Sequence, residues 1–131
     1  MLHELRINNL LLIDLLELKL EPGFNVMTGE TGAGKSVVVG ALKLVLGGRA
    51  SPEQIRPQAN SASVEALFDL RPDALELLHP SDDLSSDEIV VRRVVPASGR
   101  SRAYLNGKLA AASELTRVAP HLVDIASQHE S

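Results

Sequence analysis

The sequence predicts an α/β fold in which a glycine-rich turn joins a short apolar strand to a buried helix, beside an antiparallel β-meander. The run "MTGETGAGKS" (27–36) joins the apolar stretches 24–29 and 35–46 and overlaps the end of the first and the start of the second. Strand-like segments before and after this run follow one another too closely for crossover helices, which makes them antiparallel. Since no repeat or low-complexity tract divides the 131 residues, we expect one unit.

Each segment has a local reason for its predicted structure. Strands are predicted over 2–9 and 11–21, with a polar break at Asn8–Asn9, and a turn at Pro22–Gly23 leads to the strand 24–29. The helix 35–46 is apolar on nearly all sides, as in helices that pack between a sheet and its neighbours, and Gly47–Gly48 ends it.

The second half of the chain is predicted to contain most of the meander. It comprises a polar connector with room for one helical turn (51–61), a strand (62–70), a short helix (72–78), an acidic loop (79–88), two strands (89–95 and 101–107) joined by the hairpin turn "PASGR", a helix over 111–120 capped by Ser113, and a last strand, "HLVDIAS" (121–127).

Composition indicates an ordinary globular protein and excludes several classes of site. The net charge is −4, there is no cysteine, and the four histidines lack the spacing of metal ligands. No apolar run reaches the ~18 residues of a membrane span, and the N-terminus does not resemble a signal peptide. We therefore expect a cytoplasmic location and no membrane partner.

Residues 89–113 form a basic stretch in an otherwise acidic chain. It contains no Asp or Glu but five cations, namely Arg92, Arg93, Arg100, Arg102 and Lys108. The stretch is either a solvated hairpin face or a contact to nucleic acid. A base-stacking platform is disfavoured, because the aromatic residues are limited to Phe24, Phe68 and Tyr104.

The glycine-rich run matches the G-x-x-x-x-G-K-[ST] pattern of a phosphate-binding loop. Glycines let successive backbone N–H groups converge on phosphate oxygens, and the helix that follows adds its positive end. Lys35 is expected to reach the β- and γ-phosphates, and the Ser36 hydroxyl to bind Mg²⁺. The predicted nucleotide site comprises Gly29, Glu30, Thr31, Gly32, Ala33, Gly34, Lys35 and Ser36.

The motif alone leaves several functions open. A GTPase is disfavoured because no guanine-reading N-K-x-D run is present. One remaining hypothesis is a self-contained small kinase or nucleotidase, with Asp124 as the Walker B aspartate at the end of the strand 121–127. Another is a nucleotide-gated binding module without chemistry of its own. The strands on both sides of the loop favour a third, the N-terminal lobe of an ABC-type ATPase head.

Residues 2–50 closely resemble the start of the RecN family, which are bacterial SMC-like DNA-repair ATPases. The runs "IRP", "GRSRAYLNGK" and "LVDIASQHE" also fall where the family has similar sequence. Two positions depart from the family pattern. Ala126–Ser127 precede the glutamine in place of "HG", and Leu10–Leu11 stand where many SMC relatives have a basic or aromatic residue near the nucleotide.

The resemblance implies roles for residues that no motif would assign. Gln128 matches the Q-loop glutamine, which touches Mg²⁺ and the attacking water, so the resemblance makes it catalytic together with Lys35. Arg56 lies where SMC-type heads have an arginine that links DNA to ATP turnover. With Arg100 and Arg102 it completes the candidates for coupling to DNA.

The resemblance also implies the domain organisation, the cofactors and the partners of the full-length protein. Residues 1–131 are expected to be the N-terminal half of an ABC-type head that uses ATP and Mg²⁺. No signature L-S-G-G occurs, and no apolar strand ends in Asp-Glu. The implied partners are the C-terminal half-head of the same protein, a second copy through head engagement and a coiled coil, and double-stranded DNA or DNA ends at the nucleoid. The implied activity is ATP hydrolysis by the full-length protein, with almost none by this segment alone.

Overall fold

An antiparallel sheet dominates the computed structural model of the chain, which describes residues 2–19, 32–69 and 88–127. Within these residues the sheet has six strands in the order β2-β1-β3-β4-β5-β6. All five neighbouring pairs are antiparallel, which confirms the predicted meander. The strands are β1 (Leu2–Leu10), β2 (Ile13–Lys19), β3 (Ser61–Asp69), β4 (Glu88–Pro96), β5 (Arg102–Leu105) and β6 (Lys108–Ala110).

Two helices pack on the sheet and enclose the core. Helix α1 spans Gly32–Val45, helix α2 spans Ala112–Ser127, and a 3₁₀ turn, Pro52–Gln54, lies in the connector after α1. Because side chains alternate across a strand, every second residue of β3 and β4 points toward the helices. The buried side of α1 is formed by Val37, Val38, Ala41, Leu44 and Val45, and that of α2 includes Leu115 and Val118.

The opposite face of the sheet is polar and exposed. The strand register aligns one row across five strands, formed by Glu17, Arg6, Glu65, Arg92 and Tyr104. Its charges alternate in sign, which avoids like-charge neighbours across strands. Arg6 Nε lies 3.3 Å from Glu17 Oε1, and the Arg92 guanidinium carbon lies 5.8 Å from the Tyr104 ring centre. This row explains why the strands alternate between apolar and charged residues.

The hairpin between the first two strands differs from the prediction. The break expected at 8–9 does not end β1, which continues to Leu10, and the turn consists of residues 11–12. Asn9 has a left-handed backbone, with φ of 52°. The backbone is therefore unusual at one of the two asparagines, Asn9, but the pairing of β1 with β2 continues to Leu10.

The tip of this hairpin is held by the connector that follows α1. Leu11 also has a positive φ, 53°, which costs a non-glycine residue roughly 1–2 kcal/mol. Its N–H donates to the Gln54 carbonyl at 2.7 Å, and the Arg56 N–H donates to the Asn9 carbonyl at 2.8 Å. These long-range hydrogen bonds stabilise Leu11 in a left-handed conformation that turns usually assign to glycine or asparagine.

The C-terminal segment corrects a second prediction. The short helix 111–120 and the strand 121–127 are one helix, α2, with Pro120 inside it. Ser113 lies in its first turn and is not a cap preceding the helix. A proline inside a helix costs about 3 kcal/mol, which is why the sequence indicated a boundary there. The apolar residues Leu115, Val118 and Leu122 nevertheless recur at helical spacing across the proline.

Some predictions fall outside the described residues or concern membrane spans. The predicted strand 24–29, the helix 72–78 and nearly all of the acidic loop 79–88 lie outside the described ranges. The 3₁₀ turn confirms the single helical turn expected in the connector. In the part of the chain that the structure describes, no helix is both long and apolar enough to cross a membrane.

The end of α1 approaches α2 closely at a glycine. Gly47 has a φ of 97° and ends the helix as predicted. A Cβ at this position would lie 2.6 Å from Thr116 Oγ1 and 2.9 Å from the Thr116 backbone nitrogen. Gly47 is therefore required both by its backbone conformation and by the packing of the two helices.

We expect Gly47→Ala to lower the free energy of unfolding by roughly 2–5 kcal/mol, because left-handed strain and overpacking add. Gly99→Ala is the matched control. Gly99 has a φ of 95°, but nothing lies within 4 Å of its added Cβ, so only the strain, roughly 1–2 kcal/mol, applies. Urea unfolding of both variants measures the difference. Equal losses would mean that α1 and α2 do not approach this closely at Gly47.

Candidate nucleotide site and basic hairpin

The N-terminus of α1 is formed by the glycine-rich motif itself. The helix begins at Gly32 and not at Lys35 as predicted, so the second half of the motif lies within its first turns. The first N–H groups of a helix have no intrahelical partner and carry the positive end of the helix dipole. No acidic residue occupies the first turn of α1. This end of the helix therefore fits an anionic group such as a phosphate.

The last two residues of the motif, Lys35 and Ser36, precede two valines that are packed in the core. Lys35 and Ser36 are exposed, whereas Val37 and Val38, which follow directly, are 2% and 6% exposed. Burial of consecutive valines against the sheet fixes the rotation of the helix about its axis. Both polar side chains are thereby directed away from the core. Gly29, Glu30 and Thr31 lie outside the described residues, so the closed form of the predicted loop stays a prediction.

The opposite end of α1 is bound by a residue that the sequence did not reveal. Arg93 of β4 is 2% exposed and projects into the core. One guanidinium nitrogen, Nη1, donates to the carbonyl oxygens of Leu44 at 2.6 Å and Gly48 at 3.0 Å. The other, Nη2, donates to Ser101 Oγ at 3.2 Å. Arg93 thus joins β4, the C-terminal end of α1 and the β4–β5 loop.

The guanidinium of Arg93 is stabilised by carbonyl groups and not by a carboxylate. Among the described residues no acidic side chain pairs with it, and its Nε has no hydrogen-bond partner. Burial lowers the pKa of Arg93 from its ordinary value, because the charged form loses hydration. The C-terminal carbonyls of α1 carry the negative end of the helix dipole and compensate part of this cost.

The structure divides the five cations of the basic stretch into separate groups. Arg93 is buried and Arg92 lies on the outer face of the sheet against Tyr104, so neither lies in the β4–β5 loop. Arg100 and Arg102 are exposed in and beside this loop. Lys108 is exposed in the next strand. Burial thus removes Arg93 from the predicted contact to DNA, and among the exposed cations Arg100 and Arg102 lie together at the hairpin; the contact stays a prediction.

Arg56 lies in an open cleft beside the β1–β2 hairpin. The cleft has a volume of about 540 Å³ and is lined by Asn9, Leu12, Arg56, Pro57, Gln58 and Ala59. The side chain of Arg56 is exposed, while its backbone is fixed to β1 through Asn9. The arginine that the resemblance singled out therefore projects from a constrained segment, as a side chain that must meet a ligand would.

Two other predicted site residues lie on either side of the C-terminal limit of the described residues, which is residue 127. Asp124 lies in helix α2 and not at the end of a strand, which removes the structural context of a Walker B aspartate. The hypothesis of a self-contained kinase or nucleotidase depended on that context. Gln128 lies just beyond the described residues, so its role stays a prediction.

Comparisons with known proteins assign the chain to a family. Residues 4–102 match the family described as AAA domain. The DNA repair protein RecN of Bacillus subtilis is 40% identical over 139 residues, which cover 100% of this chain and 23% of that protein. The DNA repair protein RecN of Vibrio cholerae is 37% identical over 131 residues, which cover 98% of this chain and 24% of that protein.

A solved structure of an SMC ATPase has a fold similar to that of this chain. It comes from work on ATP-driven dimerization and DNA-stimulated activation of SMC ATPases, and it matches with a TM-score of 0.73 and 28% sequence identity. The match covers 93% of this chain and 79% of that chain. The chain spans about a quarter of the length of the RecN proteins that it matches. The chain therefore belongs to the AAA domain family, and it combines a RecN-like sequence with the fold of the N-terminal lobe of an SMC-type ATPase head.

Proposed function

We propose that the chain is the ATP-binding N-terminal half of an SMC-like ATPase head, which couples ATP binding and hydrolysis to DNA binding or bridging in double-strand break repair. One observation carries the proposal. The second half of the G-x-x-x-x-G-K-[ST] motif, residues 32–36, forms the first turns of a helix that is buried against an antiparallel sheet of the SMC-head type. The RecN relatives, named as DNA repair proteins, support the biological role.

The residues of this chain divide the work of holding the nucleotide. The first N–H groups of α1 bind phosphate oxygens, and Lys35 places a positive charge beside the terminal phosphates. Ser36 provides a hydroxyl oxygen, a ligand type that Mg²⁺ accepts, and Gln128 provides the amide that orients water. When bound, Mg²⁺ neutralises charge that develops on the phosphates during transfer. Titration of MgATP into the protein tests this division of roles.

The rest of the ATPase lies outside residues 1–131 in this proposal. The matched RecN proteins are about four times as long as the segment they share with this chain, which leaves room for a second half-head and a coiled coil. The C-terminal half-head supplies the Walker B carboxylates and the signature motif. Two heads then enclose ATP between them, in a cytoplasmic homodimer at the nucleoid.

DNA contact is proposed at the basic hairpin, with Arg56 as the link to turnover. Arg100 and Arg102 are exposed arginines without acidic neighbours along the chain. Arginines of this kind bind backbone phosphates and position a duplex without reading its sequence. Since Tyr104 is half-buried beside Arg92, base stacking does not contribute.

We expect reversal of Arg100 and Arg102 to Glu to weaken DNA binding by the full-length protein and to flatten its salt dependence. Each phosphate contact contributes about 0.9 to the slope of log K against log salt. Losing two contacts lowers the slope by roughly 2 and affects all sequences alike. Fluorescence anisotropy with labelled duplexes between low and moderate salt measures both quantities.

Arg49→Glu together with Arg117→Glu is the matched control for this test. These two arginines are exposed and lie outside the hairpin and the sheet, and their reversal changes the net charge by the same amount. If the control lowers the salt slope as much as the hairpin reversal does, the effect comes from overall charge and the hairpin is not the contact.

A further inference from the structure

The buried guanidinium of Arg93 connects two parts of the protein that have separate proposed roles. Nη1 binds the end of α1, the helix whose N-terminus bears the nucleotide motif. Nη2 binds Ser101, which lies between Arg100 and Arg102 in the proposed DNA contact. The same planar group therefore touches the nucleotide helix on one side and the DNA hairpin on the other.

The burial of this charge calls for a reason other than stability. A buried charge without a carboxylate partner is costly, and an apolar residue of similar size would fill the core without that cost. Arg93 keeps all but its Nε satisfied through carbonyl and hydroxyl oxygens. An arginine is suited to this place because its rigid planar fork has donors in fixed directions toward two separate elements, whereas a lysine is a point donor on a flexible stem.

The two contacts of Arg93 differ in strength and in exposure. The bond to Leu44 is short and buried, so the guanidinium is held firmly to α1. The bond to Ser101 is longer, at 3.2 Å, and reaches the surface loop. A movement of the loop when its arginines meet phosphate would therefore change the Ser101 contact first. Helix α1 is about 21 Å long, at 1.5 Å per residue. If it moves as one rigid element, a shift of its C-terminal end also displaces the nucleotide motif at its N-terminus.

We propose that Arg93 is a positioning residue that couples the β4–β5 hairpin to helix α1, so that DNA contact at the hairpin adjusts the nucleotide site. The inference rests on the proposed function of the two ends. Arg93 touches neither nucleotide nor DNA and acts through α1 and Ser101. It differs from the coupling expected of Arg56, which projects from another segment of the chain.

Ser101→Ala is the sharpest test, because it removes one contact of the guanidinium and leaves the bonds to α1 in place. In the full-length protein we expect DNA-free ATP hydrolysis to stay within about two-fold of wild type, and DNA affinity is measured separately by fluorescence anisotropy. We expect the stimulation of hydrolysis by DNA to fall roughly five-fold or more, the lower range of allosteric coupling. Unchanged stimulation, or a loss of DNA affinity that accounts for it, would overturn the proposal.

A second experiment tests the hold on α1 without ATP or DNA. Hydrogen exchange at the end of α1 is compared between Arg93→Lys and the matched control Arg92→Lys, one residue away on the outer face of the same strand. We expect the amides of residues 44–48 to exchange roughly ten-fold faster in Arg93→Lys only. Equal exchange in the two variants would show that Arg93 does not hold the helix.

The two experiments separate this inference from the proposed function. If the wild-type protein neither binds ATP nor responds to DNA, the proposed function fails, whatever the exchange at α1. If wild type responds to DNA and Ser101→Ala responds equally, the proposed function stands and the coupling through Arg93 is wrong.

Discussion

Replacement of Lys35 by alanine is expected to weaken binding of MgATP by about one to two orders of magnitude while leaving the fold intact. Lys35 is exposed at the start of α1 and is the charged side chain that the motif directs at the terminal phosphates. A charge-assisted bond to phosphate contributes roughly 1.5–3 kcal/mol, which corresponds to about a 10- to 150-fold loss of affinity. Isothermal titration calorimetry with MgATP measures the loss.

Lys43→Ala controls for the removal of a positive charge from the same helix. Lys43 is exposed in the last turn of α1, far from the motif. Its loss costs about 0.3–1 kcal/mol of stability through the helix dipole, and we expect affinity for MgATP to stay unchanged. Equal affinity of the Lys35→Ala variant and wild type, with unchanged circular dichroism, would contradict the assignment of the phosphate-binding loop.

The isolated 131-residue chain is expected to turn over ATP roughly 100-fold or more slowly than the full-length protein. Transfer of a phosphoryl group to water requires a polarised nucleophile and stabilisation of developing charge from the far side. In our proposal Lys35, Ser36 and Gln128 can hold the nucleotide, but the catalytic carboxylate and the signature serine come from another segment. Removal of even one such stabilising group lowers rates about 10²–10³-fold.

Release of phosphate under saturating MgATP measures this turnover. Full-length protein, assayed at the same concentration, provides the reference rate. A rate of about 1 per second or more from the isolated chain, an ordinary enzymatic value, would mean that the catalytic groups lie within the 131 residues. The position of Asp124 in helix α2 argues against that outcome.

The antiparallel strands of the meander could be predicted because local signals and burial agree. In β3 the apolar residues largely alternate, β4 is rich in β-branched valines, and the turn "PASGR" between β4 and β5 contains the glycine that its backbone requires. The connector after α1 likewise begins with Ser51, which forms a capping box with Gln54, and with Pro52 at the first position of the 3₁₀ turn. Where sequence neighbours determine the structure, the prediction was confirmed.

The errors occur where tertiary contacts override a local signal. Leu11 adopts a left-handed backbone only because Gln54 accepts its N–H from a distant segment. Pro120 indicates a helix end, but helix α2 continues through it. For Leu11 the reason lies in a distant segment, whereas for Pro120 the helical spacing of Leu115, Val118 and Leu122 was present in the sequence but conflicted with the proline.

Prediction of the candidate site was limited in the same way. The motif around Lys35 and Ser36 is visible in the sequence because backbone chemistry requires its glycines in a fixed order. Because Arg93 lies in a run of cations, the sequence predicts that it is exposed like the other members of the run. The alternation of β4 offered a signal, since Arg93 shares its face with Val91 and Val95, which point into the core. What it binds there could only come from the structure.

Complementation in trans tests most directly whether this chain is one half of an ATPase head. The chain and the remaining C-terminal half-head are mixed in equal amounts, and phosphate release is followed with and without duplex DNA. We predict that neither part alone hydrolyses ATP, that the mixture does, that DNA stimulates it, and that Lys35→Ala in this chain abolishes it. Hydrolysis by the chain alone, or by the mixture with Lys35→Ala as fast as with wild type, would contradict the account.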